Sequence, residues 1–206
     1  NKPKFEKRDR LIFSKGHGCL ALYALLADKK FFPISKLDDF CKSNSILGGH
    51  PDIEIPGVEI TSGSLGNGAS IGVGIALALK IRNNKSKVFV VIGDGELGEG
   101  SNWEAFMYAD KYKLENLYFI VDKNNLQTYG DPAFISGLNS LGNKFKSFGL
   151  NTAVVDGHDT KKIEVALKKQ FKIKNKSHVL ICNTIKGRGI DFAENSLDWH
   201  HKSSLT

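Results

Sequence analysis

The sequence lacks several features that would each have pointed to a particular class of protein. It has only three cysteines, and their odd number and scattered positions argue against a disulfide framework. It has no apolar run near the length of about 20 residues that a membrane-spanning helix needs. It also has no internal repeat and no low-complexity block. These absences favour a globular protein of a reducing compartment, for which we expect the cytoplasm, and they predict no membrane partner.

Methionine is nearly absent as well. Met107 is the only one, and residue 1 is asparagine. Because an open reading frame begins with methionine, we expect a further N-terminal segment before Asn1. The basic N-terminus, NKPKFEKRDR, is not followed by a long apolar stretch, so we do not expect these residues to act as a secretory signal. The remaining composition, 41% hydrophobic and 25% charged, predicts a single folded domain over residues 1–206.

Positive charge is in excess. Lysine and arginine number 29 against 22 aspartates and glutamates, which gives a formal net charge of +7. Such an excess favours an anionic partner: a nucleic acid, a membrane surface or a phosphorylated small molecule. The lysines are dispersed and form no stripe with aromatic residues, so we expect no nucleic-acid partner.

Short apolar runs alternate with helical stretches along the chain. The apolar runs predict strands over residues 88–92, 117–121, 152–156 and 178–183. The stretches around them predict helices over residues 18–28, 66–81, 101–113 and 161–172. This alternation indicates an α/β fold with a mostly parallel sheet and helices on both faces. In such sheets ligands bind beyond the carboxyl ends of the strands.

Polar residues follow two of the predicted strands. The sequence GDGE, with Asp94 between Gly93 and Gly95, follows the first strand, and Asn124 follows the second. A carboxylate and an amide oxygen, joined by a backbone carbonyl and phosphate oxygens, suit Mg²⁺ or Ca²⁺. The glycines would let a diphosphate approach the backbone. GDG alone is more typical of a turn, but the second polar cluster after the next strand favours a site for a metal ion and a diphosphate.

Around these residues the sequence resembles the transketolase family. GDGELGEG, WEAFMYADKYKLENL and VDKNNL are similar to the half of transketolases that binds the diphosphate of thiamine diphosphate. Further segments resemble successive transketolase segments in the same order: RDRLIFSKGHGCLALYALLA, LGGHPD, PGVEITSGSLGNG, VDGHD, TIKGRG and WHHK. The resemblance covers essentially the whole chain and implies the thiamine-diphosphate-binding fold.

The resemblance also implies the ligands of this site. It assigns the side chains of Asp94 and Asn124 and the carbonyl of Leu126 to a Mg²⁺ or Ca²⁺ ion. It assigns the following residues to thiamine diphosphate: Gly63, Ser64, Leu65, Gly93, Asp94, Gly95, Glu99, Asn124 and Lys186. The loop of Gly63, Ser64 and Leu65 also suits an anion on physical grounds, because this glycine-rich turn precedes a predicted helix.

Three histidines match family positions that line the substrate channel: His17, His50 and His200. Histidine side chains can act as proton donors and acceptors, so these three could move protons and hold a sugar hydroxyl or carbonyl. Glu99 matches a family glutamate at the subunit interface near the cofactor. The resemblance therefore implies these four residues as catalytic. His201 departs from the family, which usually has glycine after the tryptophan–histidine pair.

The implied activity is the transfer of a two-carbon ketol unit between phosphorylated sugars. In transketolases the glutamate that activates the cofactor belongs to a second, pyrimidine-binding domain, which these 206 residues do not include. We therefore expect a partner half or subunit, in a homodimer or heterotetramer. The family motif GSGHP is also not found before Arg8.

Two other functions remain open on the sequence. The chain could belong to a specialised ketol transferase of carbohydrate biosynthesis, or it could bind the cofactor as a catalytically silent interaction protein. A 1-deoxyxylulose-phosphate synthase or a pyruvate dehydrogenase subunit would share GDG…N, but KLENL, SKGH and KGRG argue against both.

Overall fold

A parallel sheet of five strands forms the centre of the protein, for which the computed structural model describes residues 5–199. The strands are β1 (Arg10–Phe13), β2 (Val88–Gly93), β3 (Leu117–Lys123), β4 (Asn151–Asp156) and β5 (His178–Asn183). Their order across the sheet is β1-β2-β3-β5-β4, and each neighbouring pair is parallel. The helices are α1 (Cys19–Asp28), α2 (Asn67–Ile81), α3 (Gly100–Lys111), α4 (Pro132–Ile135), α5 (Leu141–Ser147) and α6 (Thr160–Gln170).

The four predicted strands and the four predicted helices are all present, with every end within two residues of its predicted position. One further strand and two further α-helices do not follow from the sequence pattern. β1 is an edge strand of four residues, RLIF, which is too short to show a period. α4 and α5 are also short, and α5 is anchored in the core by two apolar side chains, Leu141 and Phe145.

Helices cover both faces of the sheet, as the sequence predicts. On β5, Val179 and Ile181 belong to the main apolar core with residues of α2, α3 and α5. Leu180 and Cys182, on the opposite face of the same strand, pack with residues of α6. Successive side chains of a strand point to opposite faces, so a strand buried on both must be apolar throughout.

The strand register brings the carboxyl ends of β2 and β3 side by side. Gly93 at the end of β2 pairs with Asp122 on β3. The segments that follow these two strands therefore leave the sheet at the same edge. No helix within residues 5–199 is long and apolar enough to cross a membrane.

A smaller apolar cluster joins α1 to the long segment between α1 and α2. Tyr23 of α1 lies at its centre and is fully buried. Its hydroxyl donates hydrogen bonds to the carbonyls of Gly48 and His50, each at 2.9 Å. α1 thus fixes the backbone at His50, although the chain between them has little regular structure.

Candidate functional site

The carboxylate of Asp94 lies buried between the loops that follow β2 and β3. Its Oδ1 accepts a hydrogen bond from the N–H of Gly95 at 2.8 Å, and its Oδ2 accepts one from the N–H of Asn125 at 2.6 Å. Burial raises the pKa of Asp94, while these two N–H groups act in the opposite direction. The structure thus places Asp94 against the loop that carries Asn124.

Asn124 and Leu126 lie in that second loop. The side chain of Asn124 is 9% exposed, and its Oδ1 accepts a hydrogen bond from the N–H of Leu126 at 3.0 Å. Between them Asn125 has a φ of 59°, a left-handed conformation that asparagine tolerates well. Residues 5–199 contain no group of three histidine, cysteine, aspartate or glutamate side chains suited to a metal ion. A metal here would need amide, carbonyl and phosphate oxygens beside Asp94.

Glu96 is a buried carboxylate that no pattern in the sequence singles out. Its Oε1 accepts hydrogen bonds from the Ser14 hydroxyl and from the N–H of Gly66. Its Oε2 accepts one from the N–H of Gly93, which is itself buried. Glu96 therefore connects the GDGE turn with the residue that follows β1 and with the turn before α2. Glu96 lies two residues after Asp94 in the GDGE turn, and this proximity could have marked it as a site residue. The local sequence does not indicate that its side chain is buried.

The start of α2 borders a groove of about 420 Å³. Gly66 precedes the helix with a φ of 85°, which only glycine adopts readily, and no side chain caps the helix. The groove is lined by His50, by residues 60–64 and by residues 67–68. Ser62 Oγ, which belongs to this lining, is buried without a hydrogen-bond partner in the described part of the chain. An uncapped helix N-terminus and an unpaired hydroxyl suit an anionic group.

The predicted cofactor residues of this loop lie on the groove or beside it. Gly63 and Ser64 line it and are exposed, whereas Leu65 is half-buried. Gly95 lies across from the β3 loop, where a Cβ atom would come within 2.9 Å of Gln127 Cβ. A side chain at that position would force the two loops apart.

Two of the three predicted histidines lie around Gly63. A Cβ atom at Gly63 would be 3.3 Å from Cδ2 of His50, so the imidazole of His50 lies directly over this glycine. A Cβ atom at Gly16 would be 3.0 Å from the nitrogen of Gly63, which places the neighbouring His17 at the same loop. Both imidazoles belong to exposed residues. His200 falls outside the described residues.

A cluster of two lysines and a carboxylate lies at the same edge of the sheet. Lys15 Nζ is 2.5 Å from Asp122 Oδ2, and the Thr184 hydroxyl donates to Asp122 Oδ1 at 2.5 Å. Burial and the charge of Lys15 lower the pKa of Lys186, against the opposing effect of Asp122 and Asp94. The predicted Lys186 therefore lies near Asp94. Sequence reasoning missed Lys15, Asp122 and Thr184, although each one is at or beyond the carboxyl end of a strand.

Glu99 is exposed at the start of α3 and makes no side-chain capping bond. It lies close to the turn before α2, because a Cβ atom at Gly66 would be 2.6 Å from Glu99 Cβ. Its expected place at a subunit interface, and the roles of the other residues above, stay predictions.

Comparisons with known proteins agree with this architecture. Residues 1–205 match the family model described as transketolase, thiamine diphosphate binding domain. An apulose-4-phosphate transketolase subunit of Phocaeicola vulgatus is 41% identical over 201 residues, which are 98% of this chain and 72% of that protein. The 6-deoxy-6-sulfo-D-fructose transketolase subunit SqwG of Clostridium sp. (strain MSTE9) is 39% identical over 200 residues, 97% of this chain and 73% of that one.

Among solved structures, the transketolase of Campylobacter jejuni superposes with a TM-score of 0.88 at 32% identity. The match covers 96% of this chain but only 32% of that one, so the chain spans about a third of a full-length transketolase. The predicted resemblance and the thiamine-diphosphate-binding α/β fold are both confirmed. The chain belongs to the transketolase family, and it matches that family's thiamine-diphosphate-binding domain.

Proposed function

We propose that this chain is the cofactor-binding half of an enzyme that transfers a two-carbon ketol unit between phosphorylated sugars with thiamine diphosphate. The observation that carries the proposal is the placement of buried Asp94 against the loop of Asn124, at the edge of the sheet where Lys15 and Lys186 also lie. Positive charge beside an oxygen-rich turn is the environment that a metal-bound diphosphate requires.

The residues present fit both groups. Asp94, Asn124 and the carbonyl of Leu126 would hold Mg²⁺, or Ca²⁺, whose remaining ligands would include diphosphate oxygens. Gly93, Gly95 and Lys186 would hold the diphosphate, and Glu99 and residues 63–65 would contact other parts of the cofactor. When bound, thiamine diphosphate supplies the electron sink for breaking and making the carbon–carbon bond.

The histidines would act on the sugar. The His50 ring lies over Gly63, and Gly16, next to His17, contacts the same loop, so both histidines lie near a substrate that would enter over this loop. Each could donate a hydrogen bond to a hydroxyl or carbonyl oxygen, or move a proton between substrate and water. We propose the same role for His200.

A second polypeptide would complete the site. Two of the relatives above are named as subunits, and the chain covers about a third of a full-length transketolase. We infer a partner that carries the pyrimidine-binding domain and its activating glutamate, in a homodimer or a heterotetramer.

We propose the cytoplasm as the location of this chain. Its three cysteines are all unpaired, as is usual in a reducing compartment.

The substrate is proposed by class. Two relatives carry names that specify unusual sugars, apulose 4-phosphate and 6-deoxy-6-sulfo-D-fructose. These names support a second candidate function, a specialised ketol transferase that acts on an unusual sugar. A catalytically silent cofactor-binding protein is the remaining alternative.

Calorimetry and turnover together test the proposal. The chain alone and with a pyrimidine-domain subunit would be titrated with thiamine diphosphate in the presence of Mg²⁺. Ketol transfer would then be followed with xylulose 5-phosphate and with apulose 4-phosphate as donors. Turnover only in the mixture supports the proposal. Cofactor binding without turnover, for every donor and partner tried, favours the catalytically silent protein. If neither the chain alone nor the mixture binds the cofactor, the proposed site is wrong.

A further inference from the structure

The strand β4 forms an open edge of the sheet. It pairs with β5, and no other strand within residues 5–199 lies on its far side. The N–H of Asn151 donates to the carbonyl of Ser177, and the N–H of Gly157 donates to the carbonyl of Asn183. Because the direction of the N–H groups alternates along a strand, those of Thr152, Val154 and Asp156 point away from β5.

This edge has few of the features that protect an exposed strand. Edge strands are usually shielded by lysine, proline, a bulge or a covering segment, because their free N–H and C=O groups pair readily with another strand. The strand reads NTAVVD, with neither lysine nor proline, and its register with β5 is continuous. Val154, at its centre, is 56% exposed. The edge is therefore suited to accept a further strand.

A groove of about 670 Å³ runs along this edge between β4 and α6. Apolar side chains form much of its lining: Ala153, Val155, Val165, Ala166 and Ile173. Gln170 also lines the groove and is 2% exposed. Its Nε2 donates to the carbonyl of Val179, but its Oε1 has no hydrogen-bond partner in the described part of the chain. The groove is thus bounded by apolar side chains and by the buried Gln170.

The charge around the groove is mainly positive. Three lysines belong to its lining, Lys161, Lys162 and Lys169, against one acidic residue, Asp156. Asp156 is already 3.6 Å from Lys162. Lys169 has no ion pair among residues 5–199. An occupant that carries negative charge would therefore be attracted to this rim.

We propose that β4 and α6 bind an extended peptide segment of a protein partner, in which apolar residues alternate with acidic ones. The segment adds a strand to the edge of the sheet through its main chain, as in other cases of strand addition. Its side chains alternate between the two faces of the sheet. The acidic ones lie on the face that α6 covers, beside the lysines of the groove, and the apolar ones lie on the opposite face. A second copy of this chain fits less well, because symmetric pairing of two β4 strands would bring the lysines of two α6 helices together.

The first test uses the chain of 206 residues and a fluorescein-labelled peptide of about six residues in which aspartate alternates with valine. Fluorescence anisotropy should show binding that weakens as salt is raised from about 0.05 M to about 0.5 M. Lys169→Glu should weaken binding about tenfold, since it reverses a charge on the groove. The matched control is Lys172→Glu, which changes an exposed lysine outside the groove and should leave the affinity unchanged.

The second test removes one outward N–H group. Val154→Pro takes away a donor at the open edge and leaves the ladder to β5 in place, and proline is tolerated on edge strands. Binding should fall about tenfold with an unchanged circular dichroism spectrum, whereas Val154→Thr, which keeps the N–H, should bind normally.

Three outcomes would overturn the proposal. The peptide could fail to bind the wild-type chain, or it could bind equally well to Lys169→Glu and to Val154→Pro. Light scattering could instead show a dimer of the wild-type chain that Val154→Pro converts to a monomer, which would assign the edge to a second copy. Thiamine diphosphate binding would be measured in the same protein samples. A failure to bind the cofactor would contradict the proposed function but not the proposed peptide binding at β4.

Discussion

Glu96 accepts a hydrogen bond from the backbone N–H of Gly66 at 2.9 Å. This contact joins two turns that are 30 positions apart, the one after β2 and the one before α2. The other carboxylate oxygen accepts from the N–H of Gly93 at 3.1 Å. The relative position of the proposed metal-binding turn and the proposed anion-binding start of α2 therefore depends on a residue that is not itself a proposed ligand.

Glu96→Gln should destabilise the protein although it preserves shape. The carboxylate accepts hydrogen bonds with both oxygens, whereas the amide NH₂ of glutamine would face an N–H donor. We expect a loss of about 1–3 kcal/mol in the free energy of unfolding, measured with urea at neutral pH. Glu104→Gln is the matched control, because Glu104 is exposed on α3, and it should change stability by less than about 0.5 kcal/mol. Equal stability of the two variants would contradict the bridging role.

Asp94→Asn should weaken the binding of thiamine diphosphate and make it less dependent on Mg²⁺. The substitution removes the only carboxylate among the proposed metal ligands, and charge count strongly affects the affinity of an oxygen site. We expect a loss of about tenfold or more in affinity by calorimetry, whereas Asp38→Asn, at an exposed position, should behave as wild type. Unchanged metal dependence in Asp94→Asn would exclude this ligand assignment.

Lys15→Met should weaken anion binding and leave the partly buried carboxylate of Asp122 without its ion-pair partner. Lys15 and Asp122 are 2.5 Å apart, and their side chains are only 12% and 28% exposed. We expect a loss of about 2–3 kcal/mol in stability, with reduced affinity for inorganic pyrophosphate. Adding Asp122→Asn should restore much of the stability but not the pyrophosphate affinity. If Lys15→Met with Asp122→Asn is no more stable than Lys15→Met alone, an unpaired Asp122 carboxylate is not the cause of the lost stability.

The sequence predicts the strands and helices of this protein better than it predicts which charged side chains are buried and what they contact. The strands and helices of the core follow from runs of apolar residues, whose patterns are local. The burial of Glu96 depends on contacts with Ser14, 82 positions away, and no local pattern encodes such a distance. The same holds for Lys15 and Asp122, which are 107 positions apart. The turn at Asp94 was found from sequence because neighbouring strands bring GDG and Asn124 to one edge.

His178 is a buried histidine far from the proposed cofactor residues, at the start of β5. Its ring stacks on Tyr118 with centroids 4.6 Å apart, and its Nε2 has no hydrogen-bond partner within the described residues. Burial lowers the pKa of His178 to about 4, and Lys174 adds to this effect while Glu115 opposes it. The folded protein therefore holds this imidazole neutral at pH values where a free histidine would gain a proton.

This difference should make the protein less stable in mild acid. The pKa is about 6.5 in the unfolded chain and about 4 in the folded one, so the unfolded chain binds the proton first. The contribution of neutral His178 is complete above about pH 6.5 and is lost as the pH falls from there to about 4. The loss amounts to about 3 kcal/mol and would be measured by urea unfolding across this range. His178→Phe keeps the stacked ring without a titrating group, so its stability should fall less over the same interval. An identical fall in both proteins would mean that other groups cause the acid sensitivity.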